Sequence, residues 1–396
     1  MFLIFAASAT SAWAQGGPPD PDSVRVRIGP LSLNPTISLT NLGVDGNVFN
    51  EPEDQNPKKD FTATITPATD LWLHMGPTWI TANIKDDFVW FRKYASERSV
   101  NNAYTAAWLV PLNRVNFNVG VLRRSGRERP GFEIDARSQH TATGYNALAE
   151  VRALSKTFFG VTARRQKEDY DKAAVFLGSS LNYELNRVTT DIGLTIRHAL
   201  TPLTTITLSG TRSQDRFDFN PLRDSNSTSV TANVSFDPLA LLKGSATVGY
   251  RSFRPLEPGL EDFTGTTAAV NLSYVALGTT RFSASVTRDV QYSYDVNQPY
   301  YLQTGVNGSI AQQIFGPFDV VGRAGTAVLA YRDRAGTLVE VSGRVDRNRT
   351  YGFGVGYHMG RDLRLGFNVD KDRRISDVSR RQYNNLRIGT SITYGT

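Results

Sequence analysis

The chain has 396 residues, a formal net charge of +7, 40% hydrophobic residues and no cysteine. No apolar run approaches the ~18 residues that a spanning helix requires, which excludes a helical membrane protein. The missing cysteines exclude disulfides and thiolate metal sites, and the abundance of Gly, Pro, Thr, Ser, Asn and Tyr favours strands and turns.

Residues 1–14 read as a signal peptide: Phe2 to Ala9 is a short apolar core, and Ala12-Trp13-Ala14 before Gln15 fits a small-residue cleavage site. The first cationic residue is Arg25, so the basic n-region is missing and the signal reads as incomplete at its N-terminus. Residues 15–32 read as a periplasmic linker, and 33–396 as one strand-rich domain with no break in composition.

The first strand is predicted over Thr36 to Phe49, followed by a charged loop, Glu51 to Lys59. A second strand, Phe61 to Thr66, is expected to turn at Pro67-Ala68-Thr69-Asp70 into a third, Leu71 to Phe91, interrupted at Gly76-Pro77. From Tyr104 the rhythm is regular. Val115, Phe117, Val119 and Val121 alternate with Asn116, Asn118 and Gly120, and the same scheme recurs through Leu363, Leu365 and Phe367 to Ile388, Ile392 and Tyr394. Alternate side chains of a strand face opposite ways, so each segment has one apolar and one polar face.

Short turns such as Pro111 to Asn113, Leu277-Gly278 and Gly316-Pro317 alternate with long charged loops at 125–136, 169–187, 217–226, 334–346 and 374–381. Strands of roughly 10 residues with that alternation predict an all-β fold, a transmembrane antiparallel up-and-down β-barrel. The count is about 18 strands (16–18), and an even count puts the N- and C-termini on the periplasmic side. The apolar piece Ala173 to Leu177 is a candidate cap for the mouth.

Arg114, Arg152, Arg197, Arg364 and Arg387 fall on the polar parity, which predicts a lumen lined by guanidinium groups. Such a lining favours anionic solutes. Glu150, Asp191 and Asp370 share that parity, and Arg–carboxylate lattices that merely brace the wall are the competing reading. Gly352, Gly354 and Gly356 leave one strip of the inner wall without side chains, suited to a passage or to a packed inner segment. Arg123, Arg165, Arg212 and Arg288 fall on the lipid-facing parity near long loops, where they would meet lipopolysaccharide phosphates unless a bulge reverses the face.

The four histidines are scattered and no Ser/His/Asp arrangement appears, so no catalytic residue, metal or cofactor is predicted and the chain reads as no enzyme. Basic residues spread along alternating strands form no nucleic-acid patch. The final strand, with Arg387, Gly389, Ile392 and Tyr394, resembles the C-terminal signal read by the barrel assembly machinery, although Gly395-Thr396 follow the aromatic.

Thr201-Pro202-Leu203-Thr204, Phe236-Asp237-Pro238-Leu239, Gly249-Tyr250-Arg251-Ser252-Phe253, Thr287-Arg288-Asp289 and Arg361-Asp362-Leu363-Arg364-Leu365-Gly366 together resemble the second putative β-barrel porin family of outer-membrane barrels. The resemblance covers about half the chain well. It implies a wide barrel associated with exopolysaccharide genes, hence a pore for export of polysaccharide or another polyanion, partnered by outer-membrane lipid, lipopolysaccharide and polysaccharide secretion components. It supplies no catalytic residues. A general or anion-preferring diffusion porin and a closed docking barrel remain the alternatives.

Overall fold

The computed structural model describes residues 24–237 and 240–395. The expected signal peptide and residues 15–23 of the expected linker lie outside them.

Eighteen strands form the wall. They are β1 Leu31–Asp45, β2 Asp60–Met75, β3 Thr78–Phe91, β4 Ser99–Pro111, β5 Val115–Glu128, β6 Ser138–Leu154, β7 Thr157–Tyr170, β8 Arg187–Thr201 and β9 Thr204–Phe217. The second half comprises β10 Ser225–Phe236, β11 Leu242–Pro255, β12 Phe263–Ala276, β13 Thr280–Tyr292, β14 Tyr300–Phe315, β15 Phe318–Arg332, β16 Val345–Met359, β17 Leu363–Ile375 and β18 Tyr383–Tyr394. Each pairs antiparallel with its sequence neighbours, and β1 pairs with both β2 and β18, which closes the ring. Closure leaves no unpaired edge, the condition for strands to cross hydrocarbon. A further short strand, Val26–Ile28, turns back at Gly29-Pro30 and pairs only with Leu31–Leu33.

The seam between β1 and β18 is irregular. The register slips between Leu39 and Leu42, and Asn41 takes a left-handed φ of 53°. Beside this bulge the backbones approach so closely that a Cβ on Gly43 would collide with the Ile388 carbonyl.

One sequence expectation fails in the N-terminal third. Pro67 to Asp70 is not a turn but the middle of β2, and the turn lies at Gly76-Pro77, which splits the expected third strand. Gly76 adopts a φ of 57°, which suits a tight hairpin. Pro67 stays in its strand because the ladder to β3 skips it: Ile65 pairs with Phe88, and pairing resumes at Ala68 with Lys85.

Connections alternate between tight turns at one end of the barrel and longer loops at the other. The two faces are identified by contacts across the ring. Asn348 on β16 and Arg374 on β17 touch Phe132, Glu133 and Asp135, which lie between β5 and β6, at least six pairing steps away. Side chains on the parity of Asn348 and Arg374 therefore point inward. The opposite parity carries an apolar outer band, with Ile192, Leu194 and Val230 each more than 60% exposed. Arg123, Arg165, Arg212 and Arg288 share this outer parity, on stretches where the pairing runs without a register shift.

Candidate functional site

Six inner-wall ion pairs tie neighbouring or next-neighbouring strands. Arg197 clasps Glu150 with two nitrogens, Nε to Oε1 at 2.9 Å and Nη2 to Oε2 at 2.6 Å, joining β8 to β6 across β7. Arg364 clasps Asp319 at 2.7 and 2.6 Å, and His358 reaches the same carboxylate at 2.8 Å. Arg387 meets Asp372 at 2.5 Å, Arg323 meets Asp370 at 2.9 Å, Arg251 meets Asp289 at 2.9 Å and Arg164 approaches Asp191 at 3.6 Å. Forked Arg–carboxylate contacts of this kind hold both groups in a fixed plane and cancel their charge locally.

Of the residues singled out in sequence, Arg197 and Glu150 are thus brought together. Arg364, Arg387, Asp191 and Asp370 have partners that sequence reasoning did not name. The glycine strip of β16 is neither passage nor seat for an inner segment: Cβ atoms at 352, 354 and 356 would run into Arg323, Asp370, Asn368, Arg364 and Asp319. Neighbouring strands lay their ion pairs over it.

Arg114 and Arg152 differ from the rest. They lie opposite each other where β5 and β6 meet a tight turn, and the Arg152 N–H donates to the Arg114 carbonyl at 2.8 Å. Both are exposed and neither forms an ion pair among the described residues. Arg152 lies over the ring of Phe158 at 5.2 Å, and Arg197 lies over the same ring at 4.1 Å. Lys243 and Arg281, also exposed and on the inner parity, extend this basic rim along β11 and β13. Like charges directly opposite on a sheet are destabilising, so the rim carries unspent positive potential.

The opposite end is packed. The segment between β5 and β6, residues 129–137, leaves the wall and crosses the mouth. Ile134 joins a buried apolar cluster with Ala174, Phe176, Leu181 and Leu185 from the β7–β8 loop and Tyr294 from the β13–β14 loop. Ala173 to Leu177 thus contributes two of the residues that cap the mouth. Phe176 and Tyr294 meet edge to face at 4.8 Å. A one-turn helix, α1 Leu181–Leu185, supplies the two leucines and is capped by Ser180, whose hydroxyl accepts from the Tyr183 N–H at 3.4 Å.

Charged groups pin the segment in place. Asp135 accepts from Arg374 at 2.5 Å and lies 3.1 Å from Arg381, and the Glu133 carbonyl accepts from both arginines. Arg129 and Arg137 donate to the Val48 carbonyl at 2.7 and 3.0 Å. Glu133, 1% exposed, accepts from the Ser293 hydroxyl at 2.6 Å and the Tyr294 N–H at 3.2 Å. Burial holds its carboxyl above the usual carboxylate range, partly offset by Ser293 and by the Arg344 and Arg381 guanidiniums. Arg223, buried beside Glu184 at 2.8 Å, donates to the carbonyls of Ser293, Asp295 and Pro299 and fixes the β13–β14 loop from below.

The β13–β14 hairpin leans over the same opening. Pairing of β12 with β13 ends at Ala268 and Arg288, whereas β13 and β14 stay paired to Tyr292 and Tyr300. The freed end is buried on both faces, Tyr301 against Leu329 and Tyr331, and Tyr300 and Leu302 against Phe253, Phe263 and Val290. Glu133, Asp135 and Arg381 escaped the sequence reading because they sit in charged loops. The available signal was the pair Phe132 and Ile134, apolar residues in an otherwise charged connection.

The model of the family described as putative beta-barrel porin 2 matches residues 20–395. No curated protein matches the chain. Among solved structures, a BenF-like porin from Pseudomonas fluorescens Pf-5 is similar at 13% identity, over 93% of this chain and 98% of that one, with a TM-score of 0.48. OccK2 (OpdF) of Pseudomonas aeruginosa is similar at 9% identity, over 91% and 97%, with a TM-score of 0.47. The outer membrane protein opdK of Pseudomonas aeruginosa is similar at 11% identity, over 92% and 98%, with a TM-score of 0.45.

Proposed function

The chain belongs to the putative beta-barrel porin 2 family and is a porin-like barrel of the bacterial outer membrane, and from that premise we propose that it is a plugged pore for export of an anionic polymer, such as an acidic polysaccharide. In this reading the tight turns face the periplasm and the long loops face the outside, the usual arrangement of outer-membrane barrels.

The observation that carries the proposal is the asymmetry between the two ends. The periplasmic rim presents Arg114, Arg152, Lys243 and Arg281 without ion pairs among the described residues. The outer mouth is filled by residues 129–137 and the β13–β14 hairpin. Guanidinium groups fork onto carboxylates or phosphates of a polymer delivered from the periplasm. Beyond the rim six inner-wall arginines are matched by carboxylates, so a polyanion is attracted at the entrance and meets mostly neutralised charge along the way, as transport requires. Exit then needs the plug to move aside, and its ionic pins make that displacement a discrete step.

Planar-bilayer recording tests this. The wild-type barrel is expected to conduct rarely, and deletion of residues 129–137 to give steady current with a reversal potential set by anions. Steady wild-type current would favour the diffusion porin, cation preference in the deletion variant would remove the basic-rim argument, and silence in both would favour a closed docking barrel. Chromosomal deletion, followed by assay of surface polysaccharide, separates export from diffusion.

A further inference from the structure

We propose that the outer face of β13–β17 holds one phosphorylated, multiply acylated glycolipid of the lipid A type. Arg347 and Arg349 on β16, and Lys371 and Arg373 on β17, are all exposed on the outer parity near the long-loop end. Arg349 lies directly opposite Arg373, and Lys371 opposite Tyr351. None of the four has an ion pair or hydrogen bond among the described residues. Two arginines facing each other across a ladder repel, and no carboxylate among the described residues relieves them.

Directly below the cations lies an apolar trough of about 1010 Å³. Its floor is made of small residues, Ala284, Gly308, Gly322 and Ala324, and Tyr351 and Phe353 form one wall. Cβ atoms at Gly308 and Gly322 would meet nothing closer than 4.0 Å, so the floor is open to the outside. Lys371 lines the end nearest the cations. Across the trough, Arg288 on β13 donates to Thr304 on β14 at 2.8 Å, which sets a fifth cation at the other side of the head. The arrangement is a slot for acyl chains beneath a two-sided phosphate clamp.

Charge selects the occupant. A phosphorylated glycolipid of the outer leaflet brings anions to the head of the slot and hydrocarbon to its body. A second copy of the chain docked face to face would set these cations against themselves, because an isologous contact repeats the same patch on both sides. The inference rests on the long loops facing outward, and it is independent of whether the lumen conducts.

Native mass spectrometry of the detergent-solubilised full barrel, titrated with bisphosphorylated hexa-acyl lipid A, tests it. Wild type is expected to retain one lipid. The triple variant Arg349→Gln, Lys371→Gln, Arg373→Gln should bind about a hundredfold more weakly, the effect of removing three cations near a lipid surface. Arg349→Lys with Arg373→Lys should keep most of the affinity, and Lys93→Gln with Lys172→Gln, exposed in the loops after β3 and β7, should change it less than about twofold. Filling the slot with Gly308→Leu and Ala324→Leu should also weaken retention. Heat-modifiable gel mobility confirms that each variant is folded. Unchanged binding by the triple variant, equal binding of dephosphorylated lipid A or of phosphatidylglycerol, or recovery of the barrel as a dimer in place of the lipid complex would each overturn the proposal. A failure here leaves the bilayer recordings, and the pore reading they test, untouched.

Discussion

Arg374, a wall residue of β17, lies 2.5 Å from Asp135, a residue that enters the mouth from between β5 and β6. Arg374 is completely buried and Asp135 is mostly buried, and Arg381, itself buried, shares the same carboxylate. Removing one member of a buried pair leaves an uncompensated charge, at a cost of about 3–5 kcal/mol. Asp135→Asn should therefore undock residues 129–137 while the barrel, held by its ladders, stays closed. Limited proteolysis should cut the variant between 129 and 137 where wild type resists, and bilayer current should appear at the same time. A variant as resistant and as silent as wild type would show that the apolar cluster alone holds the plug.

Glu133 gives the plug a pH dependence. Burial raises its carboxyl pKa above the ordinary value in the docked state, so the docked state binds more protons than the undocked one. Stability that depends on this group is fully present below the ordinary carboxylate range and is lost as pH rises through the raised value. Opening frequency should increase with pH across that window. Glu133→Gln, which keeps the hydrogen-bonding shape and loses the titration, should flatten the profile at the low-pH level. An unchanged profile in Glu133→Gln would assign the dependence to another group.

Arg152 and Arg197 share the ring of Phe158 yet should behave differently when neutralised. Arg197 satisfies Glu150, which is 4% exposed, so Arg197→Gln strands a carboxylate and should cost about 1.5–3 kcal/mol in unfolding free energy, the worth of hydrogen bonds to a charged group. Arg152 has no such partner and faces Arg114. Arg152→Gln relieves that repulsion, so it should not lower stability, and it should shift the reversal potential of a plug-deleted barrel toward cations. Equal stability losses in both variants would show that Arg152 is a bracing residue.

The contrast between those two arginines marks how far the sequence could be read. Period-two alternation gave the strands, and the alternation of tight turns with long loops gave the barrel, because both are set by nearest neighbours along the chain. Which charges meet was hidden, because it depends on register between strands. Arg364 finds Asp319 two strands away, and nothing within either strand announces it. The misplaced turn at Pro67 has a similar origin: proline breaks a ladder only where its N–H is needed, and here the neighbouring strand skips it. The plug was the least legible feature, since Glu133 and Asp135 look like ordinary loop charges until Arg374 and Arg381 stand across from them.

Closure itself depends on Gly43. At the seam, β1 bulges at Asn41 and the chain returns so close to β18 that any Cβ on residue 43 strikes the Ile388 carbonyl. The obstructing atom is backbone within a paired strand, so it has no side-chain freedom with which to give way. Gly43→Val should therefore force the first and last strands apart while the other hairpins, paired through local turns, still form. An open seam exposes unpaired N–H and C=O groups to hydrocarbon, at several kcal/mol for each group. The variant should lose the compact, heat-modifiable band on gels and be sensitive to protease in membranes. Gly210→Val on β9, where a Cβ meets nothing within 4 Å, is the matched control and should assemble normally. Normal assembly of Gly43→Val would mean that the bulge at Asn41 can relax and that the seam is held by the remaining pairs from Ile37 to Asp45.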